Sequence, residues 1–94
     1  MHGRVLNIFR EKVAKREYIV TLHADEEMSD DAINILDVEN CVATGNITER
    51  QTDLITAEKK YRIHGKTMDG EKMELIVKLS PTGKMVIITA YLLT

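Results

Sequence analysis

The sequence has little cysteine, no long apolar run and no surplus of positive charge. Cys41 is its only cysteine, which excludes an internal disulfide and a thiolate metal cluster and is typical of a reducing cytoplasm. No apolar stretch reaches the length of a membrane-spanning helix. The charged start, MHGRVLNIFREKVAKRE, lacks the apolar centre of a secretory signal. These absences predict a cytoplasmic protein that neither enters a membrane nor is exported.

The charge balance limits how the chain can bind nucleic acid. Its formal net charge is −2, so the overall field does not attract phosphates, and any RNA site must rest on a local basic patch. The charges are uneven, because the acidic block ADEEMSDD contrasts with Lys59–Lys66, where most charges are cations. The segment Lys59–Lys66 is therefore the place to look for such a patch.

Size and composition indicate one globular domain. The chain has 94 residues, of which 44% are hydrophobic and 30% charged. That balance is typical of a folded domain, and the length is enough for one modest core around a sheet. We therefore expect a single domain over residues 1–94.

The first third of the chain predicts a helix and a short strand. Val5, Ile8, Phe9 and Val13 recur at helical spacing and predict an amphipathic helix over residues 3–16. The next segment, YIVTL, is rich in β-branched residues and predicts a strand. HADEEM then adds about one helical turn.

The clearest helix signal follows. Asn34 can cap a helix whose third residue is Asp37, which completes a capping box. Gly45 supplies the stop. These signals predict a helix over residues 35–44, with Cys41 on its buried side.

Residues 47–92 predict antiparallel strands. The polar segment ITERQTD is followed by KKYRIHGK, KMELIVKLS and MVIITAYLL, with the turn signals MDG and PTGK between the last three. Helices followed by a meander of strands predict an α+β fold, in which the N-terminal helices pack on an antiparallel sheet.

Strand alternation predicts which side chains share a face. In Lys59–Lys66 the even positions form a wholly basic face, comprising Lys60, Arg62, His64 and Lys66. A three-residue loop over 68–70, with Gly70 in the left-handed conformation, keeps that face away from the apolar residues of the next strand. A two-residue loop would place basic residues opposite apolar ones, so the pattern rejects it.

The last strand leaves two registers open. A four-residue loop over 81–84 buries the apolar set Val86, Ile88, Ala90 and Leu92 beneath the helices, and brings Tyr91 near Glu74 and His64, and Thr89 near Ile76 and Arg62. A three-residue loop over 81–83 suits the turn chemistry but moves Thr89 and Tyr91 to the helix side. The apolar pattern involves more buried area and favours the four-residue loop.

The segments YIVTLHADEEM, DVENCVATGNITERQ, YRIHGKTMDG and SPTGKMVIITAY resemble, in this order, the domain of unknown function 4258 family. That family looks like a branch of the RelE-like superfamily and is similar to the BrnT and MqsR toxins. The resemblance implies a RelE-like fold, cleavage of mRNA with or without the ribosome, and a zinc-finger antitoxin as the protein partner.

The same resemblance implies site residues. His23 matches the family's HA signature, Arg62 its basic residue before the glycine, and Thr89 and Tyr91 its terminal T-x-Y. One departure concerns the stretch after HA, where many members have arginines and this chain has Glu27 and Asp31. That departure weakens the expectation that this stretch faces RNA.

These features lead to two hypotheses. In the first, the chain is an endoribonuclease in which Arg62, His64, Tyr91 and His23 take part in catalysis, while Lys60, Lys66 and Thr89 bind RNA. In the second, the fold is a binding module for a protein or nucleic acid and catalyses nothing. Neither requires a cofactor. We expect no metal site, because successive acidic residues after His23 point apart.

Overall fold

The computed structural model describes residues 2–94 as three helices and a five-stranded sheet. In chain order the elements are α1 (Gly3–Ala14), β1 (Tyr18–Val20), α2 (Leu22–Asp30), α3 (Ile35–Thr44), β2 (Asn46–Thr52), β3 (Lys59–Lys66), β4 (Lys72–Leu79) and β5 (Met85–Leu92). The predicted α+β class is confirmed. Across this part of the chain, none of the helices combines the length and apolar composition that crossing a membrane requires.

The sheet has the order β1-β5-β4-β3-β2. Strands β2 to β5 form the predicted antiparallel meander, and β1 adds a short parallel strand beside β5. One face, called here the inner face, carries the core. Its buried side chains include Ile63, Leu75, Val77 and Ile87, which form one cluster with Phe9 of α1 and Val38 of α3.

Helix α3 begins as the sequence predicts. The Asn34 side chain accepts a hydrogen bond from the Asp37 backbone N–H at 3.1 Å, and the Asp37 carboxylate accepts one from the Asn34 N–H at 3.0 Å. This reciprocal pair is the predicted capping box. The helix occupies Ile35–Thr44, the predicted range.

The end of α3 has a different cause from the one that the sequence predicts. Gly45 follows the helix with φ of −92°, so the position does not need the left-handed conformation. A Cβ there would lie 2.4 Å from the His64 carbonyl oxygen, and one on Gly65 would lie 2.3 Å from the Cys41 carbonyl oxygen. Both glycines therefore allow the α3 backbone to touch β3. Cys41 is fully buried at this crossing, and its burial raises the pKa of the thiol to about 12.

Helix α2 is longer than the single turn that the sequence predicts. Thr21 caps it by accepting a hydrogen bond from the Ala24 N–H at 3.1 Å. Ala24 and Met28, four residues apart, are both buried, so one side of the helix packs against the core. Consequently the preceding strand ends at Val20 rather than at Leu22.

The two hairpins of the meander use the same kind of loop. Each has three residues and ends in a glycine with φ of +87°, Gly70 in one and Gly83 in the other. The Thr67 N–H donates to the Glu71 carbonyl, and the Ser80 N–H donates to the Lys84 carbonyl, both at 2.8 Å. The predicted β3–β4 loop is confirmed, and the predicted four-residue β4–β5 loop is wrong.

A β-bulge in β5 makes the three-residue loop compatible with the pairing predicted for the end of the strand, where Tyr91 is opposite Glu74. Ile76 is opposite Thr89, but Val77 is opposite Ile87, which leaves Ile88 as an extra residue. Before the bulge Met85 and Ile87 point inward and are fully buried. Val86, Ile88 and Leu92 stay partly exposed, so the prediction that they are buried is wrong, whereas Ala90 is buried as predicted.

Beyond the bulge the predicted register is confirmed. Glu74 is opposite both His64 and Tyr91, and Ile76 is opposite both Arg62 and Thr89. The bulge thus returns Tyr91 to the face opposite the core. That face is called here the outer face.

Candidate functional site

The outer face carries two neighbouring rows of side chains drawn from β3, β4 and β5. One row is Arg62, Ile76 and Thr89, and the next is His64, Glu74 and Tyr91. Cross-strand partners lie within contact distance of one another, so the side chains of each row can interact across β3, β4 and β5. Four of these side chains interact directly and form what is called here the Glu74 cluster: Arg62, His64, Glu74 and Tyr91.

Glu74 is the centre of the cluster. Its side chain is 3% exposed, and Oε1 lies 2.6 Å from Nε2 of His64. The Tyr91 hydroxyl donates a hydrogen bond to Oε2, and Nη1 of Arg62 lies 3.5 Å from Oε1. Both carboxylate oxygens are therefore occupied by partners, as a buried charge requires.

The partners keep Glu74 ionised. Burial by itself raises the pKa of the carboxyl group, but the hydrogen bonds from Tyr91 and His64 and the positive charge of Arg62 together outweigh it. The net result is a pKa below the usual value for glutamate. At neutral pH the cluster thus contains a buried negative charge, which orients the groups around it.

Tyr91 is held as a neutral phenol. Its hydrogen bond to Glu74, followed by burial and the nearby negative charge, raises its pKa above the usual value for tyrosine. Because the hydroxyl proton points to Oε2 of Glu74, Tyr91 positions the carboxylate.

His64 and Arg62 both reach solvent. The His64 side chain is 43% exposed and that of Arg62 is 35% exposed. Because the bond to an ionised Glu74 uses Nε2–H of His64, the imidazole presents its other nitrogen, Nδ1, away from the carboxylate. An imidazole held in this way can exchange a proton with a bound molecule.

Arg62 is shared between two acidic side chains. Besides Glu74, its guanidinium lies 3.8 Å from Oε1 of Glu49 on β2. Its Nε is buried and has no hydrogen-bond partner among residues 2–94. The guanidinium therefore keeps an unused donor in addition to its charge.

The other residues predicted for the site lie around the cluster. Lys60 is opposite Gln51 on β2, Lys66 is opposite Lys72 on β4, and Thr89 lies in the Arg62 row. These three share the outer face with the cluster.

His23 lies on another element. It is in the first turn of α2, its side chain is 68% exposed, and its Nε2 is 3.2 Å from Oε1 of Glu27. The cap of α2 comes from Thr21. The structure thus brings together Arg62, His64 and Tyr91, and leaves His23 outside their direct contacts.

The acidic residues that depart from the family pattern have a structural role. Glu27 accepts a hydrogen bond from the Ala90 N–H at 3.3 Å, and Asp31 accepts one from the Leu92 N–H at 2.9 Å. Both donors lie on β5 beyond the short pairing with β1. These carboxylates satisfy backbone groups that an adjacent strand would otherwise satisfy.

Sequence reasoning missed the roles of Glu74 and Glu49. The predicted register already placed Glu74 beside His64 and Tyr91, so its neighbours were available as a signal. A glutamate in the middle of an apolar strand, opposite two residues that can donate hydrogen bonds, indicates a buried and partnered carboxylate. For Glu49 no such signal exists, because it reaches the Arg62 row only through a bulge between Ile47 and Glu49.

We expect Glu74→Gln to change the acid dependence of stability. The lowered pKa of Glu74 means that its stabilising contribution is complete above its ordinary pKa of 4.5 and is lost as the pH falls through the lower, folded-state value. Below pH 4.5 the free energy of unfolding should therefore fall more steeply in the parent than in the variant. Urea denaturation at a series of pH values measures this difference.

Glu26→Gln is the control, because Glu26 lies on α2, is exposed and is outside the cluster. This variant should follow the parent. An equally steep acid loss in Glu74→Gln and the parent would show that the ionised carboxylate contributes nothing.

The described part of the chain, residues 2–94, contains no group of three or more histidine, cysteine, aspartate or glutamate side chains arranged to hold a metal ion. Lys, Arg, His and Glu are the groups with which the outer face can act. These groups can transfer protons and bind anions.

A family model matches most of the chain. The model of the family described as Domain of unknown function (DUF4258) matches residues 20–92. No curated protein and no solved structure matches the chain. The matched range covers every element from the end of β1 to β5, including the whole Glu74 cluster. The chain therefore belongs to the DUF4258 family.

Proposed function

We propose that the chain is the toxin of a bacterial toxin–antitoxin pair, a RelE-like endoribonuclease that cleaves mRNA. The observation that carries the proposal is the Glu74 cluster, in which a buried carboxylate holds a half-exposed imidazole beside a guanidinium. The resemblance to RelE-like toxins suggests RNA as the substrate. The cluster supplies the chemical groups that RNA cleavage needs.

His64 is the proton-transfer group in this proposal. Cleavage begins when the 2′-oxygen of the ribose attacks the adjacent phosphorus, and the proton of that hydroxyl passes to His64. The bond from phosphorus to the 5′-oxygen then breaks, and the imidazolium returns the proton to the leaving oxygen. The products are a 2′,3′-cyclic phosphate and a 5′-hydroxyl.

Arg62 and Glu74 support this reaction in different ways. Arg62 binds the phosphate oxygens, and its positive charge stabilises the extra negative charge of the transition state. Glu74 holds the tautomer and orientation of His64 and stabilises the imidazolium that forms. Tyr91 positions Glu74. Lys60 and Thr89 lie beside Arg62 on the outer face and extend the surface that meets the RNA.

The proposal includes a zinc-finger antitoxin as the protein partner, as the resemblance implies. The cationic side chains of the outer face reach solvent, so an antitoxin can neutralise the enzyme by covering them. A neighbouring gene that encodes a short zinc-binding protein would support this part of the proposal.

The proposed activity can be tested directly. The purified chain is incubated with a long mRNA, with and without ribosomes, and with the same RNA carrying 2′-methoxy groups. We expect cleavage of the unmodified RNA, fragments ending in 2′,3′-cyclic phosphate, and no cleavage of the 2′-methoxy RNA. Expression of the chain alone should also arrest bacterial growth. Intact RNA under every condition, with normal growth, would overturn the nuclease proposal.

A second function is favoured by the charge around Arg62. Two carboxylates, Glu49 and Glu74, lie within 4 Å of its guanidinium, and ion pairs of this kind reduce the charge available to a phosphate. The chain would then be a binding module that recognises a partner and catalyses nothing. Binding of RNA or of the antitoxin without cleavage would favour this second function.

A further inference from the structure

Two lysines face each other at the hairpin end of the outer face. Lys66, the last residue of β3, is directly opposite Lys72, the first residue of β4. Both side chains are exposed. Like charges directly opposite each other in an antiparallel pair destabilise the sheet, so the pair does not serve the stability of the hairpin.

The structure provides no acidic partner for this pair. Among residues 2–94 no carboxylate oxygen lies within 4.0 Å of either ammonium group, whereas Lys78 lies 2.8 Å from Glu58 and Lys15 lies 2.8 Å from Glu11. Lys12, Lys15 and Lys78 thus each meet a carboxylate that the chain itself supplies. At Lys66 and Lys72 the positive charge is left for an anion from outside.

The pair adjoins the Glu74 cluster. Lys66 follows His64 by two residues in β3, which puts both side chains on one face about 7 Å apart along the strand. The residues that line a shallow depression here include His64 and both lysines, together with Thr44, Gly65 and Leu93. An anion in this depression would touch the imidazole and the two ammonium groups.

We propose that Lys66 and Lys72 form a phosphate subsite for the backbone of single-stranded RNA, next to the phosphate that Arg62 and His64 hold. This inference rests on the proposed function and adds to it the direction in which the substrate lies. The RNA runs along β3, with the cleaved phosphate at Arg62 and His64 and a neighbouring phosphate at the lysine pair.

The chemistry of the pair fits phosphate in an unpaired strand. Ammonium groups bind phosphate as point charges, with three donors each, and adapt to a mobile backbone. An open sheet face accepts single strands, whose bases can be spread over it, more readily than the regular surface of a duplex. Because the chain as a whole is negative, binding of a polyanion depends on local positive charge, which this pair adds to that of Arg62.

Salt dependence of binding tests the subsite. The probe is a fluorescent single-stranded oligodeoxynucleotide, which lacks the attacking 2′-hydroxyl and stays intact. Each phosphate contact contributes about 0.7 to the slope of log affinity against log salt for single strands, so the double variant Lys66→Gln, Lys72→Gln should lower the slope by about 1.4. The ratio of the parent's affinity to the variant's affinity should therefore fall about sevenfold when the salt concentration rises from about 50 to about 200 mM.

A second double variant, Lys15→Gln with Lys84→Gln, is the matched control. It removes the same charge from Lys15, the residue after α1, and from Lys84, the residue after the β4–β5 loop, both of which are exposed. The slope of this control should equal that of the parent. Thermal melting should show both double variants folded. Equal slopes in the parent and in Lys66→Gln, Lys72→Gln, no binding by the parent, or equally strong competition by polyglutamate would overturn the subsite.

The subsite and the nuclease can fail separately. A parent that binds the oligodeoxynucleotide with the expected slope, yet leaves RNA intact, would overturn the nuclease and support the subsite. A parent that cuts RNA, and whose lysine variant cuts and binds equally well, would support the nuclease and overturn the subsite.

Discussion

Replacing His64 with alanine in the proposed nuclease is expected to slow RNA cleavage by about 10²- to 10⁴-fold, the usual contribution of a positioned acid–base group. The imidazole is the exposed partner of the buried Glu74 carboxylate, and alanine removes the group that carries the proton from the 2′-oxygen to the leaving oxygen in the proposed mechanism. The rate is measured with a short RNA under single-turnover conditions, so that product release does not hide the chemical step.

His23→Ala is the matched control for this experiment. His23 is also exposed and also lies against a glutamate, Glu27, but on α2 and outside the direct contacts of the cluster. Its replacement should change the rate less than twofold, within the scatter typical of surface positions. If His23→Ala abolishes cleavage and His64→Ala does not, the site has been assigned to the wrong part of the molecule.

Gly65→Ala is expected to destabilise the fold by about 3 kcal/mol, the upper part of the range for overpacked cores. The new Cβ would meet the Cys41 carbonyl oxygen at 2.3 Å and its Sγ at 2.8 Å. Because the first of these atoms belongs to the backbone of α3, relief requires the helix to move off β3. In a domain of this size such a change lowers the melting temperature by about 12 to 24 °C.

Gly3→Ala provides the comparison, since a Cβ at Gly3 has nothing within 4 Å. Alanine there should leave the melting temperature unchanged or slightly higher, because alanine favours a helix more than glycine does. Calorimetry of both variants measures the difference. A Gly65→Ala variant that melts with the parent would mean that α3 and β3 are not in backbone contact.

The helix limits and the hairpins show what local patterns can predict. Asn34 and Asp37 specify the start of α3 because a capping box involves only neighbouring residues. Gly70 specifies its loop for the same reason. Helix α2 was underestimated because its buried side consists of only Ala24 and Met28, and Thr21, which caps it, also fits the end of a strand.

The bulge at Ile88 could not be predicted from alternation. Apolar residues occupy both parities of β5, so either register buries an acceptable set. The turn residues Pro81 to Gly83 favour a three-residue loop. Ala90 and Leu92 instead favour the register that a four-residue loop would give, with both residues on the inner face. One extra residue satisfies both, and only the three-dimensional pairing with β4 reveals where it lies.

Strand pairing predicted the partners of Glu74 in the cluster, but the role of Glu74 itself was missed. Arg62, His64 and Tyr91 followed from the register, because residues opposite one another in a sheet must meet. The burial of Glu74 depends on donors from β3 and β5, so its role could be predicted from the paired register but not from the β4 sequence alone. The Arg62–Glu49 contact depends on the bulge in β2, and strand alternation cannot predict where a bulge lies.

The position of α2 beside β5 has a consequence for association between chains. Open strand edges invite pairing with other molecules and lead to aggregation. Along β5 the carboxylates of Glu27 and Asp31 occupy the free N–H groups, so a foreign strand finds these donors already taken. The opposite edge, β2, carries mostly exposed polar side chains and is interrupted by its own bulge. The sheet therefore resists edge-to-edge growth at one side by hydrogen-bonded carboxylates and at the other by polarity and irregular register.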